Sequence, residues 1–304
     1  MMHDVSLAQI VVGVDFSESS LEASKMALHL ARAQGAKVTF VHVGYVPELP
    51  NGIPTTLSKT ADEYVRIAKA SLDQDRSKLN DWFERFNGQG VEIQLMVVEG
   101  NPAEAVAKVA TSLKADLICA GSNNRTGVMR FALGSVSESL VRIAECDVLV
   151  VREGDEGRGG FDSLIVGMDF SESAKRALNT ALTLASKNAK VEMVHCFDSP
   201  GSGNGMPGLD NDSFEKLGDA VTAAMKEKGQ ELLDSLDTKD LNVTFEVHDS
   251  APKNGLHELA NERKSDVLVV ASRGESGLKR MLLGSVSEAS VRHANCSVLV
   301  CNSQ

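Results

Sequence analysis

VGVDFSES at Val12–Ser19 returns as VGMDFSES at Val166–Ser173, and LGSVSE at Leu133–Glu138 returns unchanged at Leu283–Glu288. Copies about 150 residues apart are too widely spaced for a solenoid and match the size of a whole domain, so the repeat reads as one domain written twice. Both sentences follow short β-branched or apolar runs and open helical stretches. They therefore fall at strand-to-helix junctions, where an α/β protein holds its ligand.

Working outward from the first copy, Gln9–Val14 reads as a strand, and Ser17–Gln34 reads as a helix with Ala23, Ala27, Leu30 and Ala31 at helical spacing. Lys37–Val43 is the second strand, and a loop from Gly44 to about Ala61 leads into an amphipathic helix ending near Phe86. Strand Val91–Val98 stops at Gly100-Asn101-Pro102, where the proline fits a first helical turn. Strand Asp116–Ala120, helix Ser135–Ala144 and strand Asp147–Val151 complete the first half. The second half repeats this order: strand Ser163–Met168, helix Ser173–Ser186, strand Lys190–Cys196, loop Asp198–Asn211, helix Ser213–Leu236 and strand Val243–Val247. Its helical stripes keep register, with Ala177, Ala181, Leu184 and Ala185 repeating the first set, and Leu256, Leu259 and Ala260 repeating Val106, Val109 and Ala110. Strict alternation of this kind predicts an α/β fold of two tandem Rossmann-like domains, each a five-stranded parallel sheet with helices on both faces.

Residues 153–160, EGDEGRGG, carry no apolar anchor and read as a linker between domains 1–152 and 161–304. At 304 residues each half can bury a core without staples. A net charge of −11 argues against nucleic acid or an anionic membrane as partner, since either rewards a basic face. No run reaches transmembrane length, and residues 1–14 lack signal-peptide grammar, so a cytoplasmic protein is expected. Five cysteines, an odd number set mostly in apolar runs, read as reduced and buried.

The chemistry concentrates in one repeated constellation. Gly121-Ser122-Asn123-Asn124 precedes Gly134-Ser135-Val136-Ser137-Glu138 by a nine-residue stretch, and Ala271-Ser272-Arg273-Gly274 stands at the same distance from Gly284-Ser285-Val286-Ser287-Glu288. Small residues at a strand exit admit a ligand to the backbone, and the free N–H groups of the next helix favour an anion, so both read as phosphate sites. The bland alternative is a capping box, with Ser135 or Ser285 capping and Glu138 or Glu288 answering. Asp15 and Asp169 likewise read either as ligand contacts or as helix-start carboxylates. His42 and His195 read as polar residues tied to a neighbouring loop, and His293 with Cys296 falls short of a metal site.

The pattern G-x2-G-x9-G-S after the fourth strand, with the acidic residue after the first strand, resembles the universal stress protein family along nearly the whole chain. This resemblance implies a stress-response regulator that binds ATP, with or without Mg2+. It carries the nucleotide-binding positions onto Asp15, Val43, Gly121, Asn124, Gly134, Ser135, Val136 and Ser137 in the first half. In the second half it names Asp169, Cys196, Ala271, Gly274, Gly284, Ser285, Val286 and Ser287. It also implies pairing of the last strands, hence an intramolecular pseudo-dimer of the two domains, and a homodimer beyond that.

Each half departs from the pattern at one glycine. Asn124 tolerates the left-handed backbone that a glycine would supply. Ala271 is harmless at negative φ and costs about 1 kcal/mol or more at positive φ. Arg273 offers charge to a phosphate where Asn123 cannot, which makes the second half the stronger candidate. No Walker lysine follows the glycines, so binding is expected over efficient turnover. Two alternatives stay open: a scaffold that has lost nucleotide, and a slow ATPase.

Overall fold

A computed structural model describes residues 6–44, 58–86, 88, 90–122, 134–152, 160–198, 211–238, 240–272 and 283–302. The first half runs β1 (Gln9–Val14), α1 (Glu18–Gln34), β2 (Lys37–Gly44), α2 (Ser58–Phe83), β3 (Ile93–Glu99), α3 (Pro102–Leu113), β4 (Leu117–Gly121), α4 (Ser135–Ile143) and β5 (Asp147–Val151). The second runs β6 (Phe161–Gly167), α5 (Glu172–Leu184), β7 (Ala185–Phe197), α6 (Asn211–Asp234), β8 (Asn242–Asp249), α7 (Pro252–Arg263), β9 (Val267–Ala271), α8 (Ser285–His293) and β10 (Ser297–Cys301).

Within each half all strands are parallel, and the halves join by antiparallel pairing of β5 with β10. The result is one ten-stranded sheet in the order β3-β2-β1-β4-β5-β10-β9-β6-β7-β8. Alternate residues of each strand serve opposite faces, as a pleat requires. Ile10, Val12, Phe40, Cys119 and Leu149 pack under α1 and α2, together with their second-half counterparts under α5 and α6. Val11, Val41, Ile118, Val148 and Val150 face α3 and α4, with α7 and α8 continuing that layer. Strands covered on both sides carry the near-continuous apolar runs seen in the sequence.

Local chemistry fixes the element ends. Ser17 and Ser171 cap α1 and α5, accepting the N–H of Ser20 at 3.2 Å and of Ala174 at 3.1 Å. Gly35 ends α1 at φ 71°, and Asn188 stands in the left-handed region after α5 at φ 64°, the non-glycine choice that tolerates it. Asp116 accepts the N–H groups of Ala8 and Gln9 at 2.7 and 2.9 Å, and Asp266 those of Asp162 and Ser163 at 2.8 and 2.9 Å. These carboxylates lock the first strand of each half against the fourth.

Two expectations change in detail. β7 begins directly at the end of α5 and runs 13 residues, with a register irregularity between Phe161 and Ser163. Helices α4 and α8 are capped by Gly134 and Gly284, so the capping box held open as the alternative at Ser135 and Ser285 does not form. Residues 153–159, most of the predicted linker, lie outside the described residues.

Candidate functional site

The site grows from the turn after β1. The Asp15 carboxylate accepts the Ser17 N–H at 3.0 Å and the Ser17 hydroxyl, and Asp169 does the same for Ser171 at 3.0 and 2.5 Å. Between carboxylate and cap, Phe16 and Phe170 sit at φ 63° and 62°, a left-handed backbone that a bulky residue adopts only under constraint. The constraint is visible. Phe16 packs on the His42 ring with centroids 4.4 Å apart, and Phe170 on His195 at 5.4 Å. Each imidazole donates through Nδ1 to the carbonyl just before the turn, His42 to Val14 at 2.8 Å and His195 to Met168 at 2.7 Å. His42 Nε2 also lies 3.9 Å from the Asp75 carboxylate, which Lys78 approaches at 3.1 Å. Both histidines thus hold the turn in place, as the sequence reading expected.

The second wall is the start of α4. Gly134 caps the helix without a side chain, Ser135 is the first helical residue, and Ser137 donates its hydroxyl to the Gly121 carbonyl at 2.5 Å. Ser287 repeats this with the Ala271 carbonyl at 2.6 Å. Glu138 turns away from the helix start toward Arg142 and Arg292, whose hydrogen bonds hold its carboxyl below the usual range, Arg292 contributing most. With neither serine nor glutamate capping, the free N–H groups of the first turn and the positive end of the helix dipole point outward from Gly134.

Gly121 has a packing reason to be bare as well: a Cβ placed there would stand 2.4 Å from the Ser19 backbone, so its bareness lets the start of α1 close onto β4. Ala271 holds the matching place without a positive φ, so the alanine carries no backbone strain.

Together these elements enclose a cleft of about 150 Å3 at the C-terminal ends of β1, β2 and β4. Of the first-half positions named from sequence, Asp15, Val43, Gly121, Gly134, Val136 and Ser137 line it. Ser135 starts the helix beside it and is exposed, and Asn124 lies outside the described residues. Gly13, Val14, Ser19, Ser20, Val41, His42, Pro102, Val106, Ala120 and Leu140 also line it and were not named. Val106 and Val41 were legible only as core, because the stripe that packs α3 on the sheet also floors the cleft.

The second half builds the same walls with a fuller floor. Asp169, Cys196, Ala271, Gly284, Ser285, Val286 and Ser287 occupy the matching element ends, while Arg273 and Gly274 lie outside the described residues. Leu256, in the place of Val106, reaches within 2.6 Å of where a Cβ would stand on Gly167, whereas Val106 stops 3.8 Å from the same point on Gly13. Cys196, in the place of Val43, is 8% exposed, and burial pushes its thiol pKa up. Cys119, Cys146 and Cys301 are also buried, and burial raises each thiol. Among the described residues no three His, Cys, Asp or Glu side chains gather for a metal, and no helix is long and apolar enough to cross a membrane.

The family model described as the universal stress protein family matches residues 7–152 and again 160–302. The chain belongs to the universal stress protein family. Each half has the size of a single-domain relative: a universal stress protein of Methanocaldococcus jannaschii is 33% identical over 145 residues, 48% of this chain and 82% of the relative. One from Bacillus subtilis is 27% identical over 47% of this chain and 98% of its own length. A crystal structure of a universal stress protein from Archaeoglobus fulgidus aligns over 97% of this chain and 96% of its own, with a TM-score of 0.62 at 21% identity, a likeness of fold. This universal stress protein is therefore a tandem member, with both domains in one polypeptide.

Proposed function

We propose that the chain is a cytoplasmic stress-response regulator that binds ATP or a related nucleotide, and that the first-half cleft is the working site. The observation that carries the reading is the side-chain-free start of α4 opening onto a cleft walled by Asp15 and Val43. In this reading the first-turn N–H groups from Ser135 to Ser137 take the phosphates, and the apolar floor of Val41, Val43 and Val106 takes the base. Among the described lining residues the titratable side chains are Asp15 and His42, and none is Lys or Arg. Phosphate affinity then rests on backbone N–H groups and the helix dipole, with Mg2+ as an added counter-charge. Held that way, a nucleotide meets no positioned arginine among the described residues, and slow turnover at most is the expectation.

The two units in this reading are residues 1–152 and 161–304, joined through 153–160. The preference for the second half drawn from Arg273, which lies outside the described residues, gives way here to the floor: Leu256 and Cys196 crowd it more than Val106 and Val43 do in the first half, which favours an interaction or scaffold role for the second. Equilibrium dialysis with ATP and magnesium tests the assignment. Gly134→Val fits the backbone at φ −65° and ψ 138° and places a branched side chain at the cleft wall, so the expected result is at least about tenfold weaker binding. Unchanged affinity in Gly134→Val, or no binding by the wild type, overturns it.

A further inference from the structure

The junction between the halves is nearly symmetric in backbone and unsymmetric in chemistry. β5 reads DVLVV and β10 reads SVLVC, paired antiparallel with Leu149 opposite Leu299 and Val148 opposite Val300. Beyond the strand ends, Arg152 and Asn302 do matching work. Arg152 donates to the Val291 carbonyl at 2.9 Å, and Asn302 donates from Nδ2 to the Ala144 and Cys146 carbonyls at 3.2 and 2.8 Å. Each side chain crosses the seam to the last turn of the opposite half's helix or just beyond it.

The symmetry breaks at Asp147 and its twin Ser297. The Asp147 carboxylate, 13% exposed, accepts the Asn302 N–H at 2.9 Å and the Thr180 hydroxyl at 3.3 Å, with Arg176 at 3.8 Å. Arg176 also donates to the Asn302 carbonyl. At the other end Ser297, fully buried, accepts the Arg152 N–H at 3.1 Å. Arg176 and Thr180 are the fifth and ninth residues of α5; the fifth and ninth of α1 are Glu22 and Met26. A first half paired with another first half would therefore set Asp147 beside Glu22 and Met26 in place of Arg176 and Thr180, with Arg152 of the second copy in the place of Asn302.

We propose that Asp147, Arg176 and Thr180 form a key that makes the β5 edge complementary to this chain's own second half and unsuited to a second copy of its first half. The interface is a selective one, and its partner surface is the β10 edge flanked by α5. A merely apolar seam of paired valines and leucines carries no such choice; the asymmetric polar set at its end supplies it.

The test uses the full chain near neutral pH. Arg176→Glu places the first-half residue type at the key, and Asp147→Ser places the second-half type opposite it. Hydrogen exchange is followed at the paired amides of Val148, Val150, Val298 and Val300, with light scattering for chain association. The proposal expects Arg176→Glu to lower protection at these amides by about tenfold or more and to raise chain association as concentration increases. It expects Asp147→Ser added to Arg176→Glu to restore most of the protection. Arg176→Gln, which removes the cation without adding repulsion, is expected to fall between wild type and Arg176→Glu, and it keeps the test readable if Arg176→Glu fails to fold. Equal protection in Arg176→Gln and wild type, or an Arg176→Glu loss that Asp147→Ser does not relieve, overturns the proposal.

Discussion

At the scale of single residues, competing terms of similar size decide what each side chain is for. Phe16 stores strain of about 1–2 kcal/mol in its left-handed backbone. Its ring packs on His42 and, edge-on at 6.2 Å, on Trp82, and removing a packed phenylalanine ring costs about 3–5 kcal/mol. Packing wins, so Phe16→Gly is expected to destabilise by about 2 kcal/mol in urea unfolding despite relieving the backbone. A stabilised variant would mean the turn is held by something other than the ring. Asp147 poses a similar contest. Burial pushes its carboxyl up to about 6, outweighing the Asn302 N–H and the Arg176 charge that favour ionisation. The folded chain then holds this proton more tightly than the unfolded one, whose Asp titrates near the ordinary 3.8. Asp147's contribution is fully present below that value and is lost as pH rises through about 6, worth about 3 kcal/mol. Stability measured across this window should fall less steeply with rising pH in Asp147→Asn than in the wild type, and equal slopes would contradict the assignment.

At the scale of elements, helices α4 and α8 matter twice, since each starts at a candidate phosphate site and ends at the seam. Their outer faces meet in a crossed quartet: Glu138 lies 3.0 Å from Arg142 and 2.7 Å from Arg292, and Glu288 lies 3.1 and 3.2 Å from the same two arginines. These groups are a quarter to a half exposed, so each contact is worth well under about 1 kcal/mol and weakens in salt. Glu138→Gln should lower stability by about 1 kcal/mol at low ionic strength and by much less in molar salt; a deficit independent of salt would point to packing instead. Element existence was legible throughout, because apolar periodicity and the Pro and Gly punctuation are local signals. What escaped was contact across elements. The S-x-x-E spacing at Ser135 satisfies the capping rule, yet the cap stands one residue back at Gly134, and the serine that bonds across elements is Ser137, to the Gly121 carbonyl. The bareness of Gly121 reads as a ligand approach in the sequence, and only the fold adds the Ser19 backbone packed beside it.

At the scale of the molecule, the repeat announces two equal domains and the structure makes them unequal partners. Pairing of β5 with β10 was implied by the family resemblance, and it leaves β3 and β8 as the edges of the sheet. Any second copy must therefore find a surface other than the strands that close the pseudo-dimer. The difference between the two floors rests on single substitutions, Val106 against Leu256, legible in the sequence only as core, and Val43 against Cys196, named there as matching ligand positions. Their effect depends on how far a side chain reaches toward Gly13 or Gly167, a distance set by α3 and α7. The most direct test is the stoichiometry of ATP binding to the full chain by calorimetry with magnesium, in the wild type, Gly134→Val and Gly284→Val. One nucleotide per chain is expected, abolished or weakened about tenfold by Gly134→Val and kept in Gly284→Val. Two nucleotides per chain, or loss in Gly284→Val alone, would contradict it.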